Sequence, residues 1–341
     1  MPLKKPKFRE RIVLALMTIS SISVAVLLTR CQSAPSRIAI CPASVEDQAA
    51  VQSQAALPAS PAGQARQVGR DGVPSFQKVV VVIFENEGFD PTMSQSFFAE
   101  IARRGALLTN YHALTHPSQP NYIALTSGDF NGVRDDRDHN LDVPHLGDLL
   151  ERKGKTWKNY AEDFPGKCYE GPRKGLYARK HTPFVSYNNV RKSERCRNIV
   201  PSTAFYKDVK KNSLPDFSFY TPNMKDDGHD TGVTFGDEWF RKSFEPLLTK
   251  PGFKNVTLVV TFDENECNTV GPFVSAAKNA KCKSDLNRIY TVLYGYGVKA
   301  GSQSSDRFDH YSLLRTIEVG FGLDSLGKND DKATVITGVW E

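Results

Sequence analysis

The heptapeptide Thr115–Asn121 (Thr-His-Pro-Ser-Gln-Pro-Asn) delivers one serine, Ser118, to the start of a stretch whose continuation, Tyr122–Thr126, reads as a helix. A serine hydroxyl is a poor nucleophile at neutral pH, and metal coordination is one way to activate it. No Gly-x-Ser-x-Gly segment is present, so a nucleophile elbow with a hydrolase triad is not expected. Two further pairs offer oxygen donors: Glu85-Asn86 and Asp263-Glu264. Carboxylate and carbonyl oxygens suit a hard divalent cation, so the pairs predict one metal ion whose identity they leave open. A serine at a helix start also lies where backbone N–H groups favour an anion such as phosphate.

Histidines recur near the same turns. His116 lies two residues before Ser118, His229 sits in Asp226-Asp-Gly-His-Asp230, and His310 sits in Asp309-His-Tyr. Each has the chemistry to contact phosphate, protonate a leaving oxygen or bind a second metal. Lys180-His181 follows a Gly- and Pro-rich stretch and is a weaker candidate. Taken singly, an Asp-Glu pair is a solvated turn, an Asp-His pair a helix cap and a Ser-x-Pro a bend. Their joint occurrence at several strand ends points to a site.

The elements that must bring them together are periodic. Lys78–Phe84 (Lys-Val-Val-Val-Val-Ile-Phe) is a β-branched run suited to a strand covered on both faces, and Thr257–Phe262 is another. Thr156–Ala161, Asp216–Thr221 and Ile289–Gly295 also read as strands. Phe97–Arg104, Pro144–Lys153, Phe235–Thr249 and His310–Gly320 read as helices. Strands alternating with helices predict an α/β fold with a mostly parallel central sheet. In such sheets ligands bind beyond the carboxyl ends of the strands, where Glu85-Asn86 and Asp263-Glu264 fall.

The 341 residues carry a formal charge of +6. Residues 1–74 hold nine Lys/Arg and four Asp/Glu, so the remainder is nearly neutral and no basic stripe for nucleic acid exists. Met1–Arg11 is basic and Ile12–Thr29 is an uncharged run, which reads as a signal peptide or signal anchor placing the catalytic domain outside the cytoplasm, secreted or membrane-tethered. Residues 30–74 read as an Ala/Gln/Ser/Pro linker and 75–341 as the catalytic domain. Membrane contact is expected only through the N-terminal segment. Six cysteines with no Cys-x-x-Cys favour disulfides in an exported chain; proximity pairs Cys168 with Cys196 and Cys267 with Cys282.

Thr115–Asp129 resembles the nucleophile segment of the phosphoesterase family of acid phosphatase and phospholipase C type, and is similar to the secreted, phosphate-repressible acid phosphatases of fungi. More distantly it resembles the nucleotide pyrophosphatase/phosphodiesterase branch of the alkaline phosphatase superfamily. Phe84–Asp90, Arg179–Tyr187, Thr221–Asp230, Thr261–Glu266 and Phe308–Glu318 are similar to the family's other blocks, in the same order. The resemblance implies an alkaline-phosphatase-like α/β/α sandwich. It implies metal ligation by Glu85, Asn86, Ser118, Asp263 and Glu264, and phosphate or leaving-group roles for His116, Asn121, His229, Asp230 and His310. Where alkaline phosphatases carry Asp-His, this chain has Asp263-Glu264, which favours a single metal. The expected activity is hydrolysis of small phosphate monoesters through a phosphoserine. The alternatives are a phosphodiesterase or phospholipase C on the same site, and a surface-anchored binding protein with a degenerate site.

Overall fold

Lys78–Phe84 is fully buried from Val79 onward, as a run with no polar alternation must be when both faces of its strand are covered. The computed structural model describes residues 70–269 and 286–341. The signal or anchor at 1–29, most of the 30–74 linker and Cys282 lie outside the described residues. Val73 is already buried.

The main sheet has eight strands: β1 (Lys78–Phe84), β2 (Ala106–Leu108), β3 (Trp157–Ala161), β4 (Ile199–Pro201), β5 (Phe217–Thr221), β6 (Val256–Phe262), β7 (Thr291–Gly295) and β8 (Ser302–Ser304). Their order is β8-β2-β7-β6-β1-β5-β3-β4. From β6 to β4 every neighbour is parallel. β7 runs antiparallel to both β6 and β2. The principal helices are α1 (Ser96–Arg104), α2 (Ser118–Ser127), α3 (Leu146–Arg152), α4 (Thr203–Lys210), α5 (Val233–Phe244) and α6 (His310–Gly320).

Side-chain alternation sorts the layers. Phe84 and its register partner Phe262 pack against Phe98 of α1 and sit, with Phe240 of α5, in one aromatic cluster. Phe219, paired in register with Val81, points the other way and meets Tyr122 of α2. The result is the α/β/α sandwich. Asp237 of α5 ties two helices together: its buried carboxylate accepts from the Phe97 and Phe98 amides and so caps α1 from outside.

Several boundaries differ from expectation for identifiable reasons. The Pro144–Lys153 helix begins only at Leu146, because His145 and Asp148 form a reciprocal capping box there. The Phe235–Thr249 helix begins at Val233 and tightens into a 3-10 turn at Glu245–Leu247, where Pro246 removes an N–H. The segment beyond Ser118 is helical from Ser118 itself. Cys168 and Cys196 are joined. No helix among the described residues is long and apolar enough to cross a membrane.

Candidate active site

The parallel register of β1 and β6 runs without a slip from Lys78↔Val256 to Phe84↔Phe262. Glu85-Asn86 and Asp263-Glu264 therefore leave the sheet side by side. The Asp263 amide still donates to the Phe84 carbonyl at 3.1 Å, and the Asn86 amide donates to Asp263 Oδ1 at 3.3 Å. Asn86 takes a left-handed φ of 48°, a conformation that Asn tolerates better than most residues and that turns the chain sharply off the strand. Its side-chain amide donates to Glu264 Oε1 at 2.7 Å.

Ser118 is the first residue of α2, a helix whose ten residues are all buried. Its hydroxyl donates to Glu85 Oε2 at 3.0 Å and lies 3.4 Å from Glu264 Oε1. The serine is thus held between the two pairs. Asn86 Oδ1 and Asp263 Oδ2 are buried with no hydrogen-bond partner, an uncommon and costly condition for polar atoms. Burial, with the nearby Glu85 and Glu264 charges, pushes the Asp263 carboxyl well above the usual carboxylate range. Burial also raises Glu264, against the pull of His116. Among the described residues no group of three His, Cys, Asp or Glu side chains is gathered as a metal cage. The set that converges here includes serine and asparagine oxygens, and its orphaned oxygens and mutually repelling carboxylates have the chemistry that a divalent cation satisfies.

The histidines divide. His116 donates or accepts at Nδ1 with Glu264 Oε2 at 2.7 Å and keeps its side chain 31% exposed. It lines a cleft of about 270 Å³ with Thr115, Pro120, Asp129, Phe130 and Arg134. His310 is different: it is buried, with Nε2 against the Asp263 carbonyl at 2.8 Å and Nδ1 against the Tyr111 hydroxyl at 3.1 Å. Burial lowers its pKa. Both ring nitrogens are engaged, so the expected leaving-group role does not fit, and His310 instead holds the Asp263 backbone.

His181, expected at the substrate, is buried between two carboxylates. Nε2 lies 3.1 Å from Glu85 Oε1, Nδ1 lies 3.5 Å from Asp227 Oδ2, and the ring stacks on Tyr122. Burial pushes its pKa down, but the Glu85 and Asp227 charges raise it to about 9. In return His181, together with Lys180 and Tyr122, outweighs the burial of Glu85 and holds that carboxyl at about 2. Tyr122 also donates to Glu85. His229 lies behind this group: its amide donates to Asp227 Oδ1 at 2.8 Å and its ring pairs with exposed Asp230. No contact links His229 or Asp230 to Ser118 among the described residues.

Asn121 also departs from the expected phosphate contact. Its carbonyl accepts from the Leu114 and Thr115 amides, and its nitrogen donates to the Thr115 and Pro117 carbonyls. With both ends spent, Asn121 staples the turn that presents Ser118. Tyr122 and Asp227 escaped the sequence reading. Asp227 lies inside the Asp226–Asp230 motif, where only His229 and Asp230 were given roles.

Residues 92–324 match the model of the phosphoesterase family. The chain is 35% identical over 295 residues to a phosphate-repressible acid phosphatase of Penicillium chrysogenum, covering 82% of this chain and 66% of that protein. It is 33% identical over 293 residues to a phosphatidylinositol-3-phosphatase of Mycobacterium tuberculosis, covering 84% and 91%. It spans less than two thirds of the length of the fungal acid phosphatases it matches. Among solved structures, an alkaline phosphatase superfamily protein from Vibrio parahaemolyticus shares the fold, with a TM-score of 0.53 at 12% identity over 83% of this chain and 75% of that one.

Proposed function

The chain belongs to the phosphoesterase family, and on that premise we propose that it hydrolyses phosphate monoesters with Ser118 as nucleophile. The observation that carries this reading is the Ser118 hydroxyl held between Glu85 and Glu264 at the start of a buried helix, beside the unpartnered Asn86 Oδ1 and Asp263 Oδ2. Glu85, Asn86, Ser118, Asp263 and Glu264 would hold one divalent cation, which when bound supplies Lewis acidity and favours the serine alkoxide.

The residues of the chain supply the remainder. Ser118 Oγ attacks phosphorus, a bond forms from Oγ to phosphorus, and the bond from phosphorus to the ester oxygen breaks. The Ser118 proton passes to the neighbouring Glu264 carboxylate, whose Oε1 lies 3.4 Å from Oγ. His116, bonded to Glu264 through Nδ1 and open to the cleft, protonates the departing oxygen. In the second step His116 takes a proton from water, whose oxygen attacks phosphorus as the serine ester bond breaks, and Glu264 returns its proton to Ser118 Oγ. The cleft beside His116 receives the leaving group.

A second reading, a lipid-linked phosphate monoester, is favoured by the mycobacterial relative, which the chain covers almost entirely. The export of residues 75–341 by the N-terminal segment, across the 30–74 linker, belongs to the same proposal. Ser118→Ala is expected to cut kcat on p-nitrophenyl phosphate by about 10³-fold or more with an unchanged unfolding midpoint. Retention of most turnover sinks the nucleophile assignment, and full turnover in excess chelator sinks the metal. Comparing that substrate with its bis ester and with phosphatidylinositol 3-phosphate vesicles separates monoesterase, diesterase and lipid activities.

A further inference from the structure

The start of α2 is already occupied by an anion of the protein's own. The Pro117 position preceding Ser118 supplies no side-chain cap, and Pro120 contributes no N–H. The Gln119 N–H, one residue past the nucleophile, donates instead to Asp136 Oδ1 at 3.0 Å. The other oxygen of that carboxylate, Oδ2, accepts from Lys180 Nζ, also at 3.0 Å. A backbone N–H at a helix start and an ammonium, each at hydrogen-bond distance, are the donors a phosphoryl oxygen calls for. The carboxylate lies within the field of the site: its charge adds to the rise of Glu264, while Lys180 is felt by Glu85 and Asp263. Asp263, whose charge reaches Lys180, keeps one buried oxygen without a partner.

Asp136 can also let go without disturbing its loop. Neighbouring Asp135 is locked by Arg137 and His139, at 2.7 and 2.6 Å. The Gln119 side chain, with its amide nitrogen facing them, meets the backbone carbonyls of Asp135 and Arg137. The loop is therefore anchored on both sides of Asp136 by bonds that do not involve its carboxylate. The Asp136 side chain is one-third exposed, so a rotation of that side chain alone vacates the position.

We propose that Asp136 is an internal stand-in for a phosphoryl oxygen, displaced when substrate binds, and that the Gln119 N–H and Lys180 Nζ it vacates are a further phosphate subsite. The inference rests on the phosphomonoesterase reading and extends it. Lys180 then contacts substrate, and Asp136 competes with substrate and with the phosphate product.

The test measures inorganic phosphate binding to the metal-loaded full chain by calorimetry, beside p-nitrophenyl phosphate turnover and the unfolding midpoint. Asp136→Ala is expected to tighten phosphate and lower KM by about threefold or more, and Lys180→Ala to weaken phosphate by a similar factor, with partial rescue by Lys180→Arg. Asp136→Asn, which keeps the loop's shape without the charge, is expected to tighten phosphate too and serves if the alanine variant fails to fold. Unchanged or weaker phosphate binding in the Asp136 variants overturns the inference and makes Asp136 a tether. Tightened binding in a chain that turns over no ester upholds the subsite and overturns the function. Turnover without tightening does the reverse.

Discussion

Each carboxylate beside the Ser118 hydroxyl has a histidine behind it, and the two histidines live in opposite surroundings. Behind Glu85 stands His181, 3% exposed, fixed by a second carboxylate and a stacked tyrosine. Behind Glu264 stands His116, ten times more exposed and facing the cleft. The same pair of residue types therefore does two jobs. On the buried side a histidine with its pKa raised to about 9 is a fixed counter-charge that keeps Glu85 ionised. On the open side His116 faces the cleft, where the proposed mechanism needs its proton. Burial, not residue type, assigns the roles.

The largest effect is expected at the buried histidine. His181→Ala strands the Glu85 and Asp227 carboxylates without their cation, and a loss of about 3–5 kcal/mol of stability is expected, with turnover lost as well. Chemical unfolding with and without added metal checks this. A variant as stable as the parent shows that Glu85 does not depend on His181.

His116→Ala tests the open half. The expectation is a fall of about 10²–10⁴-fold in kcat for alkyl phosphates. The fall should shrink for p-nitrophenyl phosphate, whose leaving group needs no proton, and stability should hardly move. Equal losses on both substrates, or a large drop in unfolding midpoint, would erase the distinction between the two histidines.

Titrating the metal-free protein sharpens the contrast further. Glu85, held below its ordinary 4.5, contributes stability above that pH, and the contribution disappears as pH falls toward about 2. His181, raised from 6.5 to about 9, contributes below 6.5 and loses its contribution as pH rises through 9. The buried flank should be firmest between these ordinary values, and His181→Ala should flatten the alkaline limb.

The smallest effect lies away from the site. Burial and the nearby Asp330 raise the Glu318 carboxyl to about 8, and its Oε1 has no partner. The folded state binds its proton more tightly than the unfolded one, so stability falls as pH rises from 4.5 through 8. Glu318→Gln should remove most of that slope, a gain of about 1–2 kcal/mol at pH 8 once relaxation is allowed for. A variant with the parent's slope assigns the pH dependence elsewhere.

Much of this was legible in the chain. β1 and β6 announce themselves because a strand buried on both faces needs an unbroken apolar run, and their in-register ends carry the two acidic pairs. β2, β4 and β8 have three residues each, too few for periodicity to register. β7 was legible as a strand but not in its antiparallel direction, which partner choice decides. The histidines were legible as a group but not in their roles. His310 and His181 look like His116 in sequence, and only the packing around them shows which ring is enclosed. Asp136 sits in an Asp-Asp-Arg-Asp run that reads as a solvated surface, and nothing local reveals that it reaches the Gln119 amide.

Helix α2 is enclosed on every side and fastened at both ends. At its far end Gly128 takes a φ of 74° and passes so near Asp330 that a methyl group there would lie 2.4 Å from the carboxylate. Asn329 bonds the Gly128 carbonyl from the same C-terminal segment. Ser118, the proposed nucleophile, thus stands on a post that a bound ester cannot push. Fit to different alcohols must come from the Asp129–Arg134 wall of the cleft, which can drift in evolution or be redesigned while the bond-breaking machinery stays in tune.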